Sequence, residues 1–167
     1  MIPPPTKEFL DLLAAFEPRI MELTLAVRAI VLEEAPGAFE LLYDVSNAVA
    51  AAYTFTAKPN HTFIHIAAYS SWVNLGFNKG VDLPDPGCIL RGDGTFIRHI
   101  RLSSIADSER VFVRKLVREA VLRAPRPAAV ILTEPKPVVR AIYAKRKRPT
   151  GGVRGNRGAG SKAPGAG

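Results

Sequence analysis

Twenty consecutive residues between Lys58 and Lys79 carry no formal charge. A stretch of that length either spans a bilayer or is buried within a domain. It contains Asn60, His61, Thr62, His65, Ser70, Ser71, Asn74 and Asn78, and polar groups in hydrocarbon are costly. Its apolar residues alternate, which is the period of a half-buried strand. The chain is therefore expected to fold around a sheet, with no membrane partner.

The neighbouring segments supply the rest of an α+β domain. Thr6 stands as an N-cap before Phe9, Leu10, Leu13 and Phe16, predicting a helix over 7–16. Pro18 suits the first turn of a second helix, whose apolar face is Ile20, Leu23, Val27, Ile30 and Val31 and which Pro36-Gly37 ends. From Val45 the period becomes two. Strands are expected over 48–56, 61–69, 72–78 and 96–103, with a Pro- and Gly-rich connection over 79–95. Short links favour antiparallel pairing. Asp107 or Ser108 is the expected cap of a last helix over 108–124. The expected fold is thus a two-layer α+β domain, a four-stranded antiparallel sheet packed under N- and C-terminal helices, over residues 1–124. A Pro-rich, partly ordered extension follows at 125–144, in which 128–132 (AAVIL) is expected to add an edge strand or to fill a groove. Residues 145–167 are basic, Gly-rich and without aromatic side chains, so disorder is expected there.

Charge separates these regions. Residues 1–124 sum to −1 and residues 125–167 to +9, within a formal net charge of +8. The basic pI describes the tail and not the domain, which argues against a basic domain gripping nucleic acid across its whole surface. Lys145, Arg146, Lys147 and Arg148 open the densest basic run, and through them the tail is a candidate for docking on phosphates. With Cys88 as the single cysteine, no intrachain disulfide forms and no structural zinc rests on cysteine. The start lacks a basic stretch followed by an apolar one, so no signal peptide and a cytoplasmic location are expected.

Several motifs occur in a fixed order: Val73-Asn74-Leu75-Gly76-Phe77 then Gly80, Leu83-Pro84-Asp85-Pro86, Leu90, Gly92 and Gly94, and Arg98-His99-Ile100-Arg101-Leu102. Together with the helix ending at Ala35-Pro36-Gly37, they make residues 7–124 resemble the YdhG-like family. The resemblance implies an antiparallel sheet under helices and distant kinship with frataxin-like iron chaperones, hence iron as a cofactor or cargo. The chain departs from the family at Thr95, where relatives usually have lysine.

Alternation sorts the sheet residues onto two faces. Val49, Tyr53, Phe55, Ile64, Ile66, Val73, Leu75, Phe77, Ile100 and Leu102 fit the face under the helices. The other face would carry His61, Phe63, His65, Tyr69, Trp72, Asn74, Asn78, His99 and Arg101. That mixture of imidazoles, rings and amides reads as a shallow ligand-binding face, or as a half-exposed face partly covered by residues 128–143. His61 and His65 lie about 13 Å apart along an extended strand, too far to share one metal ion. His65 with His99 from a neighbouring strand remains a candidate pair. Arg91-Gly92-Asp93-Gly94 followed by Arg98, His99 and Arg101 resembles an anion cradle, or simply a Gly-rich turn entering a strand. The acids Glu8, Asp11, Glu17, Glu22, Glu33 and Glu34 are weak hard-cation ligands or solvated helix charges. No serine stands in a nucleophile-elbow or S-x-x-K setting, and Cys88 with His99 is the one nucleophile–base pairing available. The expected function is a non-enzymatic binding module handling iron or a small anion, through His65, Trp72, Asn74, Gly92, Gly94, Arg98, His99 and Arg101. The alternative is an interaction protein docking on nucleic acid through its tail.

Overall fold

The computed structural model describes residues 1–128 and the backbone of 138–142. Residues 129–137 and 143–167, which hold most of the AAVIL segment and the whole basic tail, lie outside the described residues.

The first helix, α1 (Lys7–Leu13), begins where Thr6 predicts, with the Thr6 hydroxyl accepting the Phe9 N–H at 3.3 Å. It stops short of residue 16 because a turn closes from Phe16 N–H to the Leu13 carbonyl. Pro18 opens α2 (Pro18–Glu34), where its fixed φ costs nothing. Gly37 takes a φ of 80° just past the end of α2, a conformation that favours glycine. No helix among the described residues is long and apolar enough to cross a membrane.

Five antiparallel strands follow, not four. They are β1 (Phe39–Asp44), β2 (Val49–Thr54), β3 (Ile64–Ala68), β4 (Val73–Phe77) and β5 (Arg98–Leu102), each paired with the next in sequence. The backbone of β6 (Val138–Ile142) runs parallel to β1 at the far edge. The additional strand β1 reads FELLYD, with Glu40 and Asp44 at positions that turn toward the helices. Its polar residues are buried there, so hydrophobic alternation cannot reveal it. The expected strand over 61–69 is also corrected at its start. Pro59–His61 forms a 3₁₀ turn, which resets the alternation before Ile64. Phe63 consequently joins the main core at 5% exposure instead of lying on the face away from the helices.

The expected last helix divides in two, α3 (Ile105–Ser108) and α4 (Val111–Leu122). The cap is Ser104, one turn earlier than expected. Its hydroxyl accepts the Asp107 N–H, and the Asp107 carboxylate accepts the Ser104 N–H. Arg114 pairs with Glu33 and Glu34, and Arg118 with Glu34, tying α4 to the end of α2. The core lies between the helices and the sheet. Leu13, Ile20, Leu23, Val27 and Val31 meet Leu75, Phe77, Leu102, Val113 and Val117 within it. All ten sheet residues expected on that face are buried.

Candidate functional site

The face turned away from the helices is ordered by strand register into two rows. One row runs Leu41, Ala52, His65, Gly76, His99, and the next runs Tyr43, Ala50, Ala67, Asn74, Arg101. The rows are not uniform. Toward β1 and β2 they are mainly apolar, with Leu41 at 1% and Ala52 at 6% exposure and Tyr43 and Ala50 half-buried. Toward β4 and β5 they turn polar and partly open: Asn74, Asn78 and His99 are half-buried and Arg101 is exposed.

The centre of the polar half is an imidazole lying over a glycine. His65 and His99 were expected on neighbouring strands, but β4 runs between them, with Gly76 in register with both. A Cβ at Gly76 would stand 2.1 Å from His65 Nε2. Only glycine leaves room for the ring there. His65 Nδ1 and Asn78 Oδ1 are 2.8 Å apart. An amide oxygen can only accept, so Nδ1 carries the proton and Nε2 presents a lone pair over Gly76. Burial pushes His65 below the usual 6.5, and the nearby His99 adds to the shift, outweighing the Asn78 bond. Burial also lowers His99, and Arg101 and Arg91 reinforce it. Both imidazoles are therefore mainly neutral at pH 7.

Beside them, a tight turn joins β3 to β4, closed by the Tyr69 N–H to the Trp72 carbonyl at 2.9 Å. It stacks the two rings at 5.0 Å between centroids. The Arg101 guanidinium lies 4.0 Å from the centre of the Trp72 ring, a cation–π contact that holds its position. Two polar atoms here are shielded from solvent and have no hydrogen-bond partner among the described residues: the donor Trp72 Nε1 and the acceptor Asn74 Oδ1. Buried polar groups are normally satisfied, so unpaired ones mark places where a further partner fits.

The structure thus brings His65, Trp72, Asn74, His99 and Arg101 together, and adds Asn78, Tyr69 and Gly76. It does not bring Arg98 to them. The Arg98 guanidinium donates to the Gly94 carbonyl and, at 2.8 Å, to the Ile97 carbonyl, so it braces the turn that holds Gly92 and Gly94. That turn is exposed, and it is closed by a two-way backbone pairing of Arg91 with His99 at 2.9 Å. Cys88 is exposed at a φ of 51°, in a turn that Asp85 fastens through the Ile89 and Leu90 N–H groups. Lys145, Arg146, Lys147 and Arg148 lie outside the described residues.

Most of the helix acids considered for cations have basic partners. Glu33 and Glu34 face Arg114 and Arg118, Asp11 pairs with Lys7, and Glu17 pairs with Arg19. Hydrogen bonds from Arg118 and Arg114 hold the Glu34 carboxyl below its usual range. Among the described residues, no group of three or more histidine, cysteine or acidic side chains gathers to hold a metal ion.

No family model, no curated protein and no solved structure matches this chain, so the reading of its function depends on the geometry of its own residues.

Proposed function

We propose that the protein is a non-enzymatic binding module that holds a small anion on the β4–β5 half of its sheet. The observation that carries this reading is the orphaned pair, Trp72 Nε1 and Asn74 Oδ1. One donor and one acceptor on the same strand face, beside the Arg101 charge, suit a ligand with an anionic oxygen and a hydroxyl. A small hydroxy acid or hydrogen phosphate has both. The anionic oxygen would take the indole N–H and the guanidinium edge, and the hydroxyl would donate to Asn74. The neutral His65 and His99 would line the approach as hydrogen-bonding groups that add no charge.

Iron handling is the expectation of the YdhG-like resemblance. It draws less support, because the carboxylates at the end of α2 are already held by Arg114 and Arg118. The test is a thermal-shift titration of the full chain with glycolate, phosphate and ferrous iron. A ligand that binds only the native state raises the melting temperature with concentration. We expect a shift with an anion, lost in the variant carrying His99→Ala and Arg101→Ala. An undiminished shift in that variant removes the site from this face, and a shift with iron alone restores the iron reading.

A second reading follows the charge. Residues 125–167 carry +9 while residues 1–124 are close to neutral, so nucleic-acid contact would run through the tail and read phosphates only. Each phosphate neutralised contributes a slope of about −0.9 in log affinity against log salt on duplex DNA. Removing 145–167 should abolish such binding.

A further inference from the structure

The 3₁₀ turn that moves His61 and Phe63 off the expected ligand face puts both in the wall of a separate cleft. The cleft lies between that turn, the end of β4 and the end of α4, and has a volume of about 230 Å³. Its apolar wall includes Phe63, Phe77 and Leu83, at 5%, 0% and 8% exposure. Phe63 ends a stack in which Arg126 lies 3.6 Å from the Phe55 ring centre and Phe55 lies 4.9 Å from Phe63. Its polar lining is basic. Lys79 is exposed and has no ion-pair partner among the described residues. His61 is oriented through Nδ1, 2.9 Å from the Thr56 hydroxyl, which itself lies 3.2 Å from the hydroxyl of the fully buried Thr54. Arg123 also lines the cleft, but Glu119 already engages it.

An apolar wall with a free cation at its edge matches an amphiphile with one flat apolar body and one negative head. The volume is below the roughly 300–1,000 Å³ of sites for drug-sized ligands, which limits the occupant to about a single ring. We propose that this cleft is a second ligand site, independent of the sheet face, that takes a small aromatic carboxylate. The ring would lie against the exposed edges of Phe63 and Leu83. The carboxylate would meet the Lys79 ammonium and the free edge of the His61 imidazole. Burying a ring against this apolar wall supplies most of the binding, and the charge supplies the preference for an acid over a neutral analogue.

The experiment is a titration of the isotope-labelled full chain with benzoate and with benzamide, its neutral analogue, followed by backbone amide shifts. Benzoate should move amides within 60–63, 77–83 and 120–125, and benzamide should bind about tenfold more weakly, as expected for loss of one charge-assisted contact. Lys79→Met should reduce benzoate to the level of benzamide and leave the melting temperature unchanged, since Lys79 is exposed. The variant carrying His99→Ala and Arg101→Ala should bind benzoate normally, which separates this site from the one on the sheet face. Equal binding of the two probes overturns the proposal. So do benzoate shifts confined to 91–101 or to the tail, unchanged binding by Lys79→Met, or no shift with either probe at millimolar concentration.

Discussion

Two polar networks sit on opposite faces of one sheet, and they differ in completeness. Under the helices, Arg28 donates to both Glu40 oxygens, at 2.9 and 3.2 Å, and the Tyr53 hydroxyl donates to Glu40 at 2.9 Å. The remaining guanidinium donors reach the Pro3 and Pro4 carbonyls at 2.9 and 3.4 Å. Arg28 and Glu40 are each 4% exposed and Tyr53 is fully buried. Burial and the Glu40 charge push the Tyr53 hydroxyl well above 10, so it stays protonated and donates. On the other face the network is unfinished: Trp72 and Asn74 each hold a polar atom without a partner. A fully satisfied buried network fixes a structure, whereas a shielded and unsatisfied one leaves places for something else to bind.

The largest expected effect comes from breaking the finished network. Arg28→Ala leaves the Glu40 charge buried with only the Tyr53 hydroxyl and no cation, and should cost about 3–5 kcal/mol. Replacing the set together, as Arg28→Met, Glu40→Met and Tyr53→Phe, should recover most of that loss, because charges that need each other are removed together. Chemical denaturation with a constant slope gives both numbers. A cost for Arg28→Ala near that of a surface substitution would mean the pair is solvated, and the contrast between the faces would fail.

The same contrast explains what could be read from the chain. Alternation alone placed ten core residues correctly, from Val49 to Leu102, since their burial is simple and apolar. It missed β1, because the residues of FELLYD that face the helices include the acids Glu40 and Asp44. A strand whose buried face holds an ion pair looks polar until Arg28, twelve residues earlier and on a helix, is known to meet it. The polar half of the other face was legible as a set of residue types: His65, Trp72, Asn74, His99 and Arg101. What remained hidden was geometry set by local backbone. The 3₁₀ turn at Pro59–His61 displaced His61 and Phe63, and Arg98 turned back onto the carbonyls of its own turn. Gly76 gave a usable signal, since a glycine inside a strand often marks a close approach.

Gly76→Ala tests the unfinished network at its centre. The new methyl would meet the His65 ring, whose displacement strains the site and breaks the contact with Asn78. The expected cost is about 1–3 kcal/mol, in the range of an overpacked site, with loss of any ligand response on this face. A variant that keeps full stability and ligand response would show that His65 swings away freely and plays no part in binding.

Smaller still is the effect of His99→Ala and Arg101→Ala on stability. Both lie on the partly open side of β5, and the variants should stay within about 0.5 kcal/mol of the parent while losing anion binding. Leu75→Ala, on the helix-facing side of β4 and fully buried, should cost about 2–5 kcal/mol and serves as the reference. If His99→Ala approaches the Leu75→Ala loss, His99 belongs to the packed structure and the division between a structural face and a binding face disappears.

The last effect is a pH dependence that separates the imidazoles from the carboxylates. His65 and His99 titrate below the usual 6.5 in the folded chain because both are desolvated. The unfolded chain therefore binds protons near pH 6.5 that the native state refuses, and stability falls as pH drops below about 6.5. Above that value the full stability is present. Glu34 and Asp107 behave in the opposite way. Their folded values lie below the usual 4.5 and 3.8, so they add stability above those values and lose it as pH falls through the lowered ones. A melt series should therefore show two separate declines. The upper one, setting in below about pH 6.5, has a ceiling of about 1.4 kcal/mol per pH unit for each proton. Replacing His65 with Gln and His99 with Asn should flatten the upper decline and leave the lower one in place. If the upper decline persists in that variant, the two imidazoles are not desolvated in the native state, and the shielded character of this half of the sheet, on which its binding role depends, is lost.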